Sequence, residues 1–262
     1  MLERIVNWSG RMTARLYAGT LLKMDVQWHA PLPVGAKILA ANHPTTTDPF
    51  LLMGLAPEPI NILITEMCFQ VPVLGQILRQ AGHVPVIDGK GRTAFDEAAK
   101  LLKAGHTVGI FPEGALSPLA GGVCPPHTGV ARLALSTGAP IIPVGICLQR
   151  EHIHFRETTV GGKTETARFY LHGPYAVTIG EPMRFEGNVE DREFVRSVSQ
   201  RIMRRISLLS RESAQRIRTS QRIPIPFSAG SHRKPTREVK GRLCKHELEN
   251  TDTAYADGWF LS

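Results

Sequence analysis

Lys37-Ile38-Leu39-Ala40-Ala41-Asn42-His43-Pro44-Thr45-Thr46-Thr47-Asp48-Pro49 is the stretch from which the rest of the chain is read. Its apolar start reads as a short buried strand, and the polar run after it as the loop at that strand's carboxyl end. Pro49 suits the first turn of a following helix, where its missing N–H costs nothing, and Thr47 or Asp48 is the candidate cap. Thr107-Val108-Gly109-Ile110 followed by Phe111-Pro112-Glu113-Gly114 repeats the pattern. Ligands of α/β folds bind at the carboxyl ends of strands. The two stretches together therefore predict one shared site.

Working outward, strand-like runs alternate with helical ones. Strands are predicted at 24–29, 37–41, 60–65, 83–87, 107–111, 140–147, 167–172 and 175–180. Helices are predicted at 2–24, 48–55, 72–80, 93–104, 127–137 and 190–217, with Gly105 and Gly138 as C-caps. This alternation predicts an α/β fold: a single domain with a central mixed, largely parallel sheet flanked by helices. Residues 1–24 are expected to form an amphipathic helix at a membrane interface, 25–218 the domain itself, and 219–262 a mostly disordered basic and polar tail. In the first helix Leu2, Ile5, Trp8, Met12 and Leu16 share one face, while Arg4, Arg11 and Arg15 cluster on another. That pattern fits a membrane interface or a helix packed on the core. The last helix directs Phe194, Val198, Ile202, Ile206 and Leu209 inward and Arg192, Arg196, Arg204 and Arg211 outward.

The 262 residues carry a net charge of +8 and 42% hydrophobic residues. A substantial core and an anionic partner follow. Aromatic residues make up only 6% and do not interleave with the arginines, which argues against a nucleic-acid stacking platform. Cys68, Cys124, Cys147 and Cys244 are scattered without a Cys-x-x-Cys pair, so neither disulfides nor zinc is expected, and a reducing compartment is. The first residues lack the apolar core and cleavage site of a secretion signal, and no apolar run reaches the about 20 residues needed to span a bilayer.

The His-x4-Asp spacing offers a base and a carboxylate to orient it. A histidine takes a proton from a hydroxyl, and a carboxylate fixes its tautomer and stabilises the imidazolium. Across a tight turn His43 and Asp48 can meet. Alternatively, Asn42-His43-Pro44 is only a turn and Asp48 only a cap. Gly-x-Ser-x-Gly is absent, so the base is expected to activate a substrate hydroxyl directly, without an acyl-enzyme. Glu113 could accept hydrogen bonds from substrate hydroxyls, and Gly114 allows close backbone approach. Glu151-His152-Ile153-His154 offers two histidines without a third ligand and reads as a solvated loop.

The order of segments is more specific than any one of them. Asn42–Pro49 is followed by Gly82-His83-Val84-Pro85-Val86-Ile87-Asp88, then Phe111–Gly114. His127-Thr128-Gly129-Val130-Ala131-Arg132-Leu133-Ala134 comes next, then Gly138-Ala139-Pro140-Ile141-Ile142-Pro143-Val144, and last Ala176-Val177-Thr178-Ile179-Gly180-Glu181-Pro182. This order resembles the glycerolipid acyltransferase family typified by bacterial 1-acyl-sn-glycerol-3-phosphate acyltransferase, over about residues 25–215. The resemblance implies transfer of a fatty acyl group from acyl-CoA or acyl-carrier protein to a lysolipid hydroxyl at the cytoplasmic face of an anionic membrane, with no metal or organic cofactor. It makes His43 the base and Asp48 its orienter. It gives the substrate site to Asn42, Glu113 and Gly114, and the pocket wall to Pro143.

The chain departs from that family where an acceptor phosphate is usually held. The second block's arginine position falls on Asp88 or Gly89, with Lys90 and Arg92 just beyond in a Gly-Lys-Gly-Arg turn as substitutes. Ala115 and Leu116 replace a Thr-Arg pair, and His127-Thr128 stands where a lysine is common. Lysophosphatidic acid and a lysolipid with another headgroup both remain open as acceptor. A phospholipid-dependent transacylase and a catalytically silent lipid-binding protein are the rival readings.

Overall fold

The computed structural model describes residues 2–160 and 163–222. Seven strands form one sheet in the order β1 (Asp25–Trp28), β9 (Tyr175–Ile179), β6 (Ile141–Leu148), β2 (Lys37–Ala41), β5 (Thr107–Ile110), β3 (Ile60–Thr65) and β4 (Val84–Val86). The five strands from β6 to β4 run parallel. β9 is antiparallel to β6, and β1 runs parallel to β9. The sheet is thus mixed and largely parallel, as the alternation predicted.

β2 is buried along its whole length, as befits a central parallel strand covered on both faces. Its alternation sends Leu39 and Ala41 into one apolar layer with Leu52, Ile142 and Val144. Ile38 and Ala40 enter another, under α5 (Gly91–Lys103), α6 (Gly129–Thr137) and α7 (Arg192–Arg222). The chain passes from β5 through α6 to β6, across β2. The carboxyl end of β2 therefore lies where the strand order reverses, the usual ligand crevice of such sheets.

α7 packs on β6 closely enough that a Cβ at Gly145 would stand 2.1 Å from the Ser210 backbone nitrogen. Only glycine admits this approach. Val198, Ile202, Ile206 and Leu209 are fully buried, and Arg192, Arg196, Arg204 and Arg211 are exposed, as the period predicted. The helix continues to Arg222, so residues 219–222 are helical and not tail. The rest of the expected tail, with Cys244, lies outside the described residues.

α1 (Leu2–Thr20) departs from the expected distribution of charge. Its small residues Ala14 and Ala18 face the domain, and Ile5, Trp8, Met12 and Leu16 are 54%, 59%, 49% and 65% exposed. Arg11 and Arg15 turn inward: Arg11 donates to the Pro57 carbonyl, and Arg15 to Gly54 and Ala56 at 3.1 and 3.0 Å. These carbonyls follow the short helix α2 (Asp48–Leu52). Polar anchors and small side chains dock the helix, leaving its large apolar side chains outward. No described helix is long and apolar enough to cross a membrane.

Two elements sit apart from the prediction. α3 (Glu66–Gln70) and α4 (Leu74–Gln80) replace a single helix at 72–80. β7 (Ile153–Val160) and β8 (Lys163–Tyr170) form a two-stranded antiparallel arm inserted between β6 and β9. The sequence reading saw only part of β8 and took the start of β7 for a loop.

Candidate active site

His43 follows β2 directly, and Asp48 opens α2, so the five-residue turn between them decides whether they meet. They do. His43 Nδ1 lies 3.0 Å from Asp48 Oδ2, and Asp48 is fully buried. An ionised carboxylate only accepts hydrogen bonds, so Nδ1 carries the proton and Nε2 keeps its lone pair. The imidazole stacks on Phe111, with centroids 4.0 Å apart and planes inclined by 20°. One ring edge is thereby fixed against Asp48 while the side chain stays 17% exposed.

Asp48 is not a helix cap. Its Oδ2 also accepts from the Thr45 backbone N–H at 2.7 Å, and its Oδ1 accepts from Thr45 Oγ1 at 2.6 Å and from the Tyr175 hydroxyl at 2.9 Å. Four donors converge on one buried carboxylate, which offsets its desolvation and leaves it no rotational freedom. Thr47 occupies the N-cap position but makes no side-chain cap bond. Its hydroxyl accepts from Tyr170 N in β8. Burial, with Asp48 beside it, raises the Tyr175 hydroxyl well above its ordinary pKa, so it stays a donor.

The second loop is tied to the first through Glu113. One carboxylate oxygen accepts from His43 N at 2.9 Å and from Ser117 Oγ at 2.6 Å, and the other from Cys124 N at 2.6 Å. Ser117 N donates to the His43 carbonyl at 2.7 Å. Glu113 is 3% exposed and already accepts from three donors. It therefore holds the backbone around His43, and the expectation that it accepts from substrate hydroxyls is corrected. Gly114 has φ +64°, and a Cβ there would stand 2.7 Å from the His127 ring. The sharp turn after Glu113 needs a glycine on both counts.

Three other predicted site residues take different roles. Asn42 is buried; its amide donates to the Ile146 carbonyl at 2.9 Å and accepts from Ile146 N at 2.7 Å. It stitches the end of β2 to β6. Pro143 is buried in β6 on the α7 side of the sheet. A Cβ at Gly180 would stand 2.9 Å from Pro143 Cγ and 2.8 Å from Leu209 of α7. Its role is packing and not a pocket wall. Arg92 lies in the first turn of α5, exposed and paired with Asp96 at 3.0 Å, so the Gly-Lys-Gly-Arg segment is a turn at Gly89 that runs into a helix start at Gly91. Lys90 is exposed in the segment after β4, the strand three places from β2 in the sheet. His127 is half-buried, and burial lowers its pKa below 6.5, so at neutral pH it supplies no cation where the family often has lysine.

The site also draws on Thr45, Tyr175 and Ser117, which the sequence does not single out, and on the arm, of which the sequence predicts only the end of β8. β8 runs along the His43–Asp48 turn: Thr46 N donates to the Arg168 carbonyl at 2.8 Å, and Arg168 N to Thr46 Oγ1 at 3.0 Å. The two histidines noted in the sequence gain a third neighbour, His172, with ring centroids 5.1 and 5.8 Å from His152 and His154. Among the described residues no group of three His, Cys, Asp or Glu side chains is placed to hold a metal ion.

This geometry agrees with the relatives the chain has. The family model described as Acyltransferase matches residues 23–147, which contain both loops. A protein of Cocos nucifera named 1-acyl-sn-glycerol-3-phosphate acyltransferase is 30% identical over 128 residues, 47% of this chain and 40% of that one. A Bacillus subtilis protein of the same name is 25% identical over 148 residues, 56% of this chain and 66% of that one. The chain spans less than half the length of the coconut relative. The solved structure of the 1-acyl-sn-glycerophosphate (LPA) acyltransferase PlsC from Thermotoga maritima superposes with a TM-score of 0.51 at 24% identity, over 78% of both chains, and shares the fold.

Proposed function

Because this chain belongs to the glycerolipid acyltransferase family, we propose that it moves a fatty acyl group from a thioester donor, acyl-CoA or acyl-carrier protein, to the hydroxyl of a lysolipid. The observation that carries the reading is the His43–Asp48 pair, with its tautomer fixed by a buried, four-fold bonded carboxylate.

The acceptor hydroxyl gives its proton to His43 Nε2 as its oxygen attacks the thioester carbonyl carbon. Asp48 stabilises the imidazolium through Nδ1–H. The tetrahedral intermediate collapses with cleavage of the carbon–sulfur bond, and the thiolate leaves. A thiol has a pKa near 8.5, so the sulfur departs without a strong general acid and takes up the proton afterwards. No covalent enzyme intermediate is needed. Asp88, Gly89, Ala115 and Leu116 occupy the positions at which the family holds an acceptor phosphate, and Arg92 is paired with Asp96. The acceptor is therefore lysophosphatidic acid held by another cation, or a lysolipid of different headgroup.

The exposed stripe of α1 supports work at a membrane surface. Ile5, Trp8, Met12 and Leu16 form a solvent-facing apolar band, and α4, tethered to α1 by Asn7 Nδ2 donating to Ala81 O, adds the exposed Leu74 and Ile77. An apolar helix face on a chain of net charge +8 suits peripheral binding to anionic lipid. The test is incubation of the protein in anionic vesicles with labelled acyl-CoA or acyl-carrier protein and a panel of lysolipids. Labelled diacyl product identifies donor and acceptor. Bound lipid without product from any thioester would favour the silent lipid binder, and product from a phospholipid donor alone the transacylase.

A further inference from the structure

The family positions that hold an acceptor phosphate are empty of cations here, and the inserted arm brings a different cation to the same loops. Arg168 of β8 is pinned beside the catalytic turn by its own backbone, N–H to Thr46 Oγ1 and carbonyl from Thr46 N. Its guanidinium crosses to the second loop, where Nη1 donates to the Ser117 carbonyl at 2.6 Å. Ser117 is the residue whose N–H meets the His43 carbonyl and whose hydroxyl meets Glu113. Arg168 thus bridges the two segments that flank His43.

Of the other arginines, Arg92 pairs with Asp96, Arg132 donates one bond to the Val189 carbonyl, and the Arg150 guanidinium lies against Gly121; among the described hydrogen bonds none of them joins the two loops as Arg168 does. Arg168 has no carboxylate partner among the described residues, and its one hydrogen bond leaves four of its five N–H groups for a ligand. The residue is partly exposed. Glu113, the carboxylate that shares Ser117 with it, is already bonded to three other donors. Its field also reaches Cys124, on the far side of the second loop. A planar guanidinium with parallel free N–H groups matches a phosphate ester better than an ammonium does.

Resting on the acyltransferase reading, we infer that Arg168 is the specificity-determining residue of this chain, holding the phosphate ester of a lysophosphatidate acceptor from the inserted arm in place of the arginines missing from the second and third blocks. The arm then serves two ends, orienting the Thr46–Asp48 turn through its backbone and reading the acceptor headgroup through one side chain.

The test uses the full chain in the His43→Ala background, which binds without turnover, and titrates a short-chain lysophosphatidate, the matching monoacylglycerol and CoA. Adding Arg168→Ala is expected to weaken lysophosphatidate about 10- to 100-fold relative to monoacylglycerol, with Arg168→Lys intermediate. In the His43 enzyme the same substitution lowers the kcat/KM ratio of lysophosphatidate to monoacylglycerol by a similar factor. Equal loss for both acceptors makes Arg168 a mere loop brace and overturns the inference. So does a loss confined to CoA, which places the phosphate on the donor. If Arg168→Ala fails to fold, the lysine variant decides: an unchanged acceptor ratio overturns the inference. The two readings fail separately. Arg168-dependent lysophosphatidate binding without acyl transfer by the wild type leaves this inference standing and removes the proposed function. Active enzyme whose acceptor preference ignores Arg168 does the reverse.

Discussion

Replacing Asp48 by Asn separates two things the carboxylate does for His43, holding its tautomer and stabilising its charge. The donors around Asp48 decide the outcome. Oδ2 faces two fixed N–H donors, from Thr45 N and His43 Nδ1, whereas Oδ1 faces two hydroxyls, Thr45 Oγ1 and Tyr175 OH. Hydroxyls rotate to accept, and a backbone N–H cannot. An asparagine therefore seats its carbonyl oxygen at the Oδ2 position and its NH2 toward the hydroxyls. His43 keeps its Nδ1–H tautomer and its Nε2 lone pair, and only the negative charge is lost. At 3.0 Å and an effective dielectric near 20, full imidazolium–carboxylate attraction is about 5 kcal/mol, and a half-transferred proton feels about half of it. The expected loss in kcat/KM is on the order of 10²-fold. An inverted tautomer would instead cost about 10⁴-fold. Initial rates of labelled acyl transfer for wild type, Asp48→Asn and Asp48→Ala, each with a thermal melt, give the comparison. Asn as slow as Ala in a folded protein would refute the argument from the donor set. Asn as fast as wild type would refute a role for the charge.

Other consequences follow from single contacts. Glu113→Gln leaves the Cys124 N–H facing an NH2 and should lower stability by about 2–3 kcal/mol; an unchanged urea midpoint would show that the carboxylate does not brace the loops. His83 is buried, its Nδ1 accepting from Ile62 N at 3.1 Å, and burial pulls its pKa from 6.5 to about 4. The stabilisation of the neutral ring is complete above pH 6.5 and is lost as pH falls toward 4, about 3 kcal/mol in all. His83→Gln should flatten that part of the pH–stability curve, and equal slopes between pH 6.5 and 4.5 would reject the assignment. Trp8→Ser with Leu16→Ser should weaken sedimentation with anionic liposomes by about 10²-fold, and unaltered binding would remove the α1 stripe from the membrane contact.

The loop ends of β2 and β5 were legible because an apolar run followed by a polar one marks a strand end, whatever the tertiary context. The pairing of His43 with Asp48 was legible because both partners lie within one turn. What stayed hidden depends on contacts distant in sequence. Tyr175 reads as a core aromatic of a buried strand, and its bond to Asp48 spans 127 residues. Asn42 reads as a ligand because it is polar and stands beside His43, yet its partner Ile146 lies 104 residues on. The β7–β8 arm lacks a clean apolar alternation, since Arg156, Glu157, Thr164 and Thr166 are exposed on a two-stranded ribbon with little core to cover. The predicted strand 167–172 contains Arg168, but without its partner β7 and its contact with Thr46 it had no site to belong to. In α1 the period located the apolar face correctly, but which face met the domain depended on the Gly54, Ala56 and Pro57 carbonyls that hold the arginines inward.

The central claim is that His43 Nε2 takes the proton from the acceptor hydroxyl. The most direct measurement is the initial rate of labelled acyl transfer from a thioester to a lysolipid in anionic vesicles, wild type beside His43→Gln, with both proteins shown to be folded and vesicle-bound. The account predicts product from the wild type and a loss of at least about 10³-fold in the variant. Transfer that survives the substitution would place the chemistry elsewhere and contradict it.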